Sequence, residues 1–131
     1  VRMLAFTAIS LLAISGAASA GERLTGEAEL AKLLEGRVAE RPVSCIRDYP
    51  SGHTRAIDGT ALVFGTGSVI YVNRTRDPRS IDDDNALVIR KSGTGAQLCN
   101  SDIVTTMNSG SHFYTGNVFL TEFVPYRRVK R

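Results

Sequence analysis

The sequence predicts an α+β domain: a mainly antiparallel, curled sheet or open barrel, with one N-terminal helix packed on it and one short second helix. Three observations lead there. One stretch of helical periodicity stands near the front of the chain, over 25–38. Beyond Pro42, short runs of alternating or wholly apolar β-formers recur, separated by Gly, Pro, Asn and Asp. The helix precedes the strands instead of alternating with them, which disfavours βαβ units. Of the 131 residues, the 111 that follow the first twenty suit one compact domain, burying roughly 65% of its unfolded surface. Two domains are excluded on size, and wholesale disorder by an apolar fraction of 43%.

The elements follow in order. Leu30, Leu33, Leu34 and Val38 line one face of the helix, with Glu27, Lys32, Glu35 and Arg37 turned to water. Thr25 is the expected N-cap, Glu27 and Glu29 favour the positive end, and Pro42 prevents continuation. A strand over 43–47 is followed by turn chemistry at 48–52 and a short strand over 54–57 that ends at Asp58-Gly59. Runs at 60–64 and 69–73 flank Gly65-Thr66-Gly67-Ser68, a hairpin signal. Both runs are apolar on both faces, as in central strands covered on two sides. A polar loop over 73–85 leads to a strand at 86–90 and a flexible Ser92-Gly93-Thr94-Gly95. After Gln97-Leu98-Cys99, Asp102 is expected to cap the short second helix through Ile103, Val104 and Met107. Residues 112–126 read as one bent strand or a loose hairpin, with Gly116-Asn117 as turn or bulge. Residues 127–131 read as a basic tail.

The first twenty residues differ from the rest. They hold Arg2 and no acid, a twelve-residue apolar run over 3–14, and the small-x-small site Ala18-Ser19-Ala20 before Gly21. This is the pattern of a cleaved signal peptide, with the cut between Ala20 and Gly21. The competing transmembrane anchor needs about 20 apolar residues. A periplasmic or secreted protein is expected, with no transmembrane segment after cleavage. The chain beyond Ala20 carries 15 basic and 13 acidic side chains, a net charge of +2. So weak a field disfavours nucleic acid as a partner.

Cys45 and Cys99 are the only cysteines. In a small exported chain a pair reads first as one disulfide. A metal site would want more ligands, and neither cysteine has a Cys or His within three residues. A catalytic thiol would have to stay reduced against its compartment.

Chemistry-bearing patterns are incomplete. His53 and His112, each after a small-residue step, are the only proton carriers suited to neutral pH. They mark a candidate surface site, with Asp58 or Asp102 as conceivable partners, yet the chain has no Gly-x-Ser-x-Gly elbow. Asp82-Asp83-Asp84-Asn85 invites a calcium reading that fails, because Ala86, Leu87 and Gly93 fall where an EF-hand needs an oxygen ligand, Gly and Glu. Gly65-Thr66-Gly67 and Gly93-Thr94-Gly95 lack the third glycine of a dinucleotide loop and the Lys-Ser/Thr of a P-loop. No cofactor, metal or catalytic residue is therefore expected. The basic tail and Arg74, Arg76 and Arg79 are the strongest electrostatic features, suited to anionic headgroups or to solubility.

The segments Gly36-Arg37-Val38, Pro42-Val43-Ser44-Cys45-Ile46, Ile57-Asp58-Gly59-Thr60, Ile70-Tyr71-Val72-Asn73-Arg74, Leu98-Cys99-Asn100-Ser101-Asp102-Ile103-Val104 and Phe123-Val124-Pro125-Tyr126-Arg127-Arg128 carry a resemblance. In that order, over residues 30–128, the chain resembles small exported bacterial proteins of the domain-of-unknown-function type. The resemblance implies export and a single domain, and it carries over no site residue.

The function expected from the residues is a non-catalytic periplasmic or envelope module that binds a protein, a glycan or an anionic surface. The alternatives are a small exported hydrolase using His53 or His112, and a small-ligand carrier or inhibitor. Convergence of both imidazoles in one cleft would favour the hydrolase. A large apolar pocket would favour the carrier.

Overall fold

The computed structural model describes residues 25–47, 53–90 and 96–130. The expected signal peptide with its Ala20–Gly21 cleavage point, the 48–52 turn and the 92–95 segment lie outside the described residues. Helix α1 (Gly26–Leu33) is followed by ten strands: β1 (Arg37–Ala39), β2 (Cys45–Arg47), β3 (Thr54–Ile57), β4 (Ala61–Phe64), β5 (Val69–Asn73), β6 (Asn85–Arg90), β7 (Gln97–Cys99), β8 (Ile103–Asn108), β9 (Tyr114–Phe119) and β10 (Val124–Arg128). They form a five-stranded sheet in the order β1-β10-β5-β4-β3, a two-stranded sheet β2-β7 and a three-stranded sheet β6-β8-β9. All these pairs are antiparallel. The α+β expectation, with mainly antiparallel sheet and one N-terminal helix, holds, and the strands divide into three sheets that close no barrel among the described residues.

Thr25 caps α1 as expected, its hydroxyl accepting from the Ala28 N–H at 3.3 Å. The helix is only 8 residues long, so the expected span of 25–38 is too long. Gly36 takes φ +70°, a left-handed conformation that ends the helix. Arg37–Ala39 then pairs with β10 as an edge strand. Val38 leaves the helical stripe and is exposed. At the other end, a Cβ on Gly26 would meet Thr60 Oγ1 at 1.9 Å and the Asp58 carbonyl at 2.4 Å. Glycine there lets the helix start rest against the β3–β4 turn.

Strand β4 is buried along its whole length, as its two-sided apolar pattern requires. Ala61 and Val63 face α1 with Leu30, Ile57, Ile70 and Val72. Leu62 and Phe64 face the opposite layer, where Ile46, Leu98, Val104, Val118, Leu120 and Phe123 gather. The five-stranded sheet therefore separates two apolar layers, one under the helix and one shared with the smaller sheets.

The expected second helix through Ile103, Val104 and Met107 is instead β8, the central strand of its sheet. Ile103, Val104, Thr105 and Thr106 are consecutive β-branched residues, stiff at χ1 and better packed on a pleat. Alternation buries Val104 and leaves Ile103 exposed. Asp102 caps no helix. It closes the turn from β7, its carboxylate accepting from the Cys99 N–H at 2.7 Å while its own N–H donates to the Cys99 carbonyl at 3.0 Å. A 3-10 turn at Pro78–Ser80 is a further helical piece.

The basic tail also changes character, because Arg127 and Arg128 belong to β10. Arg127 pairs with Glu40, which raises its already high pKa through a hydrogen bond and the carboxylate's charge.

Asn73, fully buried at the end of β5, joins the sheets. Its amide donates to the Thr121 carbonyl at 2.8 Å. Its carbonyl oxygen accepts from the N–H groups of Thr75 and Thr121, both at 3.0 Å. These bonds hold Thr75 at φ +55°, a rare conformation for a β-branched residue. Asn73→Ala leaves buried backbone groups unpaired and is expected to cost about 2–3 kcal/mol. Urea denaturation with an unchanged midpoint would contradict that role.

Candidate functional site

A cleft of about 500 Å³ opens on the helix side of the five-stranded sheet, beyond the C-terminal end of α1. Six elements and the turns beside them line it. Lys32 and Leu33 come from the last turn of α1, with Glu35 just after it. Arg37 comes from β1 and Arg128 from β10. His53 immediately precedes β3 and Arg55 lies within it, while Val63, Gly65, Thr66 and Ile70 come from the β4–β5 hairpin. Leu33, Val63 and Ile70 supply apolar walls, and the rim is cationic.

Register explains the gathering. Arg37 lies directly opposite Arg128 in the β1–β10 pair, and Ala39 lies opposite Tyr126. Tyr126 in turn lies opposite Ile70. Residues directly opposite share a face, so both guanidinium groups emerge where Tyr126 and Ile70 pack beneath the helix. The Arg37 guanidinium donates to the carbonyls of Gly67 at 3.0 Å, Ser68 at 3.2 Å and Tyr126 at 3.4 Å. These bonds clamp the β4–β5 turn to the sheet edge without neutralising the charge. Burial, and then the positive charge of Arg128, lower the Arg37 pKa from its ordinary value. Arg55 is answered by Glu29 at 2.5 Å. No described carboxylate forms an ion pair with Lys32, Arg37 or Arg128.

Of the two histidines, only His53 lines this cleft. His53 is exposed at the cleft, its carbonyl accepting from the Gly65 N–H at 2.7 Å. His112 lies in the β8–β9 turn of another sheet and does not line the cleft. There the Asn108 side-chain oxygen accepts from the N–H groups of Gly110 at 3.0 Å and Ser111 at 2.9 Å. His112 is exposed, at φ +60°. Neither Asp58 nor Asp102 lines the cleft beside His53. His112→Gly is expected to keep or slightly raise stability, by up to about 1 kcal/mol, since glycine adopts positive φ without strain. His53→Ala is expected to change stability by less than about 0.5 kcal/mol. Melting curves of the two variants check both values.

Other charges expected to act together are dispersed. Arg74 pairs with Glu27, Arg76 lies over the Phe119 ring at 6.0 Å from its centroid, and Arg79 is 3.6 Å from Asp77. Asp82 and Asp83 do meet a third carboxylate, Asp58, within 4.8 Å, where the Gly59 N–H donates to the Ile81 carbonyl. All three are exposed. This is a solvated acidic corner, and sequence spacing gave no sign that Asp58 would join it.

The expected disulfide is present. Cys45 and Cys99 are direct partners in the β2–β7 pair, with Cα atoms 4.0 Å apart. Among the described residues, no helix is long and apolar enough to cross a membrane. Comparison of the chain with protein-family models, with curated proteins and with solved structures finds no match.

Proposed function

We propose that this protein is a non-catalytic exported module of the bacterial envelope, of the same general kind as the small exported proteins its motifs resemble, and that it binds an anionic partner through the cleft between α1 and the five-stranded sheet. The observation that carries this reading is the set of cations from separate elements around one cavity in which Glu35 is the single acid among the described residues. A volume of about 500 Å³ falls within the usual range of ligand sites. The disulfide supports export, because such bridges persist in oxidising compartments. The hydrolase alternative retains only His53 in the cleft, without either aspartate that was to orient it.

The test is binding of the mature chain to a panel of anionic probes: polyglutamate, polygalacturonate, phosphatidylglycerol vesicles and an alkyl phosphate. At least one is expected to bind, to weaken as salt is raised, and to weaken further with Lys32→Gln. A panel that fails entirely at low salt, or binding indifferent to Lys32→Gln, would reject the reading.

A further inference from the structure

Resting on that reading, we infer that the cleft is a site for a dianionic phosphate monoester, its phosphoryl group held between Arg37, Arg128 and Lys32 and its organic body against Leu33, Val63 and Ile70. Two like charges directly opposite on neighbouring strands oppose the pairing that brings them together. Arg37 has a structural use in its three carbonyl bonds. Among the described residues Arg128 makes no such side-chain bond: its backbone N–H donates to the Ser68 carbonyl at 2.7 Å, and any residue but proline would supply that bond. Its charge faces Arg37 across the strand pair and meets no ion pair among the described residues. Local conflicts of this kind are expected at functional sites.

The charge count selects the ligand. Glu29 answers Arg55, so among the described residues Lys32, Arg37 and Arg128 face Glu35 alone, two positive charges in excess. A phosphate monoester above its second ionisation, near about pH 6, matches that excess, whereas a carboxylate or a sulfate ester supplies half of it. Guanidinium groups also match phosphoryl oxygens in fork geometry. Arg37 is held in place beforehand by its carbonyl bonds, and three bonds do not exhaust its five N–H donors. The cavity is larger than a bare phosphate ion, and the part beyond the cations has apolar walls. An ester with a short hydrocarbon body fits both regions. The same headgroup chemistry occurs on a soluble metabolite and on a phosphatidate lipid.

The decisive experiment titrates the mature chain, in phosphate-free buffer, with hexyl phosphate, hexyl sulfate, hexanoate and inorganic phosphate, following affinity and melting temperature. Hexyl phosphate is expected to bind about tenfold or more tightly than hexyl sulfate, and more tightly than inorganic phosphate. Arg128→Gln is expected to weaken hexyl phosphate about tenfold and to raise the melting temperature of the ligand-free protein, since a repulsion is removed. A residue with a merely structural role would lower it. Lys32→Gln lies on the exposed helix surface and provides a second variant that leaves the sheet intact. Vesicles of phosphatidate in phosphatidylcholine, against phosphatidylcholine alone, distinguish a membrane source from a soluble one, and Arg128-dependent binding to either source supports the site. Equal affinity for sulfate and phosphate esters, or an Arg128→Gln variant that binds hexyl phosphate unchanged, overturns the assignment. If hexyl phosphate fails while another anionic probe binds through Lys32, the phosphate assignment falls and the anion-binding module stands. If every probe fails, both fall.

Discussion

Replacing Cys45 and Cys99 together by alanine is expected to cost about 4 kcal/mol, the chain-entropy value for a loop of this length. The separation of 54 residues is long, so the bridge removes much freedom from the unfolded chain. The native state also depends on it locally. Strands β2 and β7 are three residues each and form a sheet of their own. A two-stranded pair that small is marginal in water without further support. Ile46 and Leu98, directly opposite in the pair, are buried in the shared apolar layer, so fraying of this sheet opens the core. At a few degrees per kcal/mol, the double variant should melt roughly 20 °C lower. Calorimetry of the variant, beside the parent with and without reductant, measures the effect. An unchanged melting temperature, or two free thiols in freshly isolated protein, would contradict it.

Phe123→Ala should cost a similar amount, about 3–5 kcal/mol. Phe123 is fully buried on the chain between β9 and β10, and meets the Phe64 ring edge to face at a centroid separation of 5.6 Å. Its backbone also exchanges two 2.8 Å hydrogen bonds with Val43. The apolar layer it joins takes Ile46 and Leu98 from the two-stranded sheet, Val104 and Val118 from the three-stranded one, and Leu62 and Phe64 from the five-stranded one. Deleting the ring leaves a void where all three sheets meet, and none can collapse into it without breaking register elsewhere. Phe123→Leu keeps most of the volume and should lose far less, about 1–1.5 kcal/mol. Guanidinium denaturation of both variants gives the comparison. Equal losses would mean that burial area, and not the filling of the junction, sets the cost.

The sequence alone determined those features whose causes lie within a few residues. Thr25 caps the helix because its hydroxyl reaches the Ala28 N–H in any chain of that local shape. The hairpin around 65–68, and the burial of β4 on both faces, follow from turn residues and two-sided apolar patterning. The cysteine pairing was legible because only two cysteines exist. His53 and His112 were legible as exposed positions in turns, though not as belonging to different sheets. Tertiary structure decided the rest. Residues 37–39 form β1, and not a last helical turn, because β10 offers them a ladder of backbone hydrogen bonds. Residues 103–108 form β8 because β6 and β9 flank them on both sides, outweighing a helical spacing of three apolar residues. The cleft was invisible for the same reason. Lys32, Arg37, Arg55 and Arg128 come from four separate elements, and what unites them is the register of β1 on β10, with the cross-strand rows that carry the rim across to β3. Register is chosen by the whole set of competing pairings and buried faces at once, a choice that no local stretch of the sequence contains.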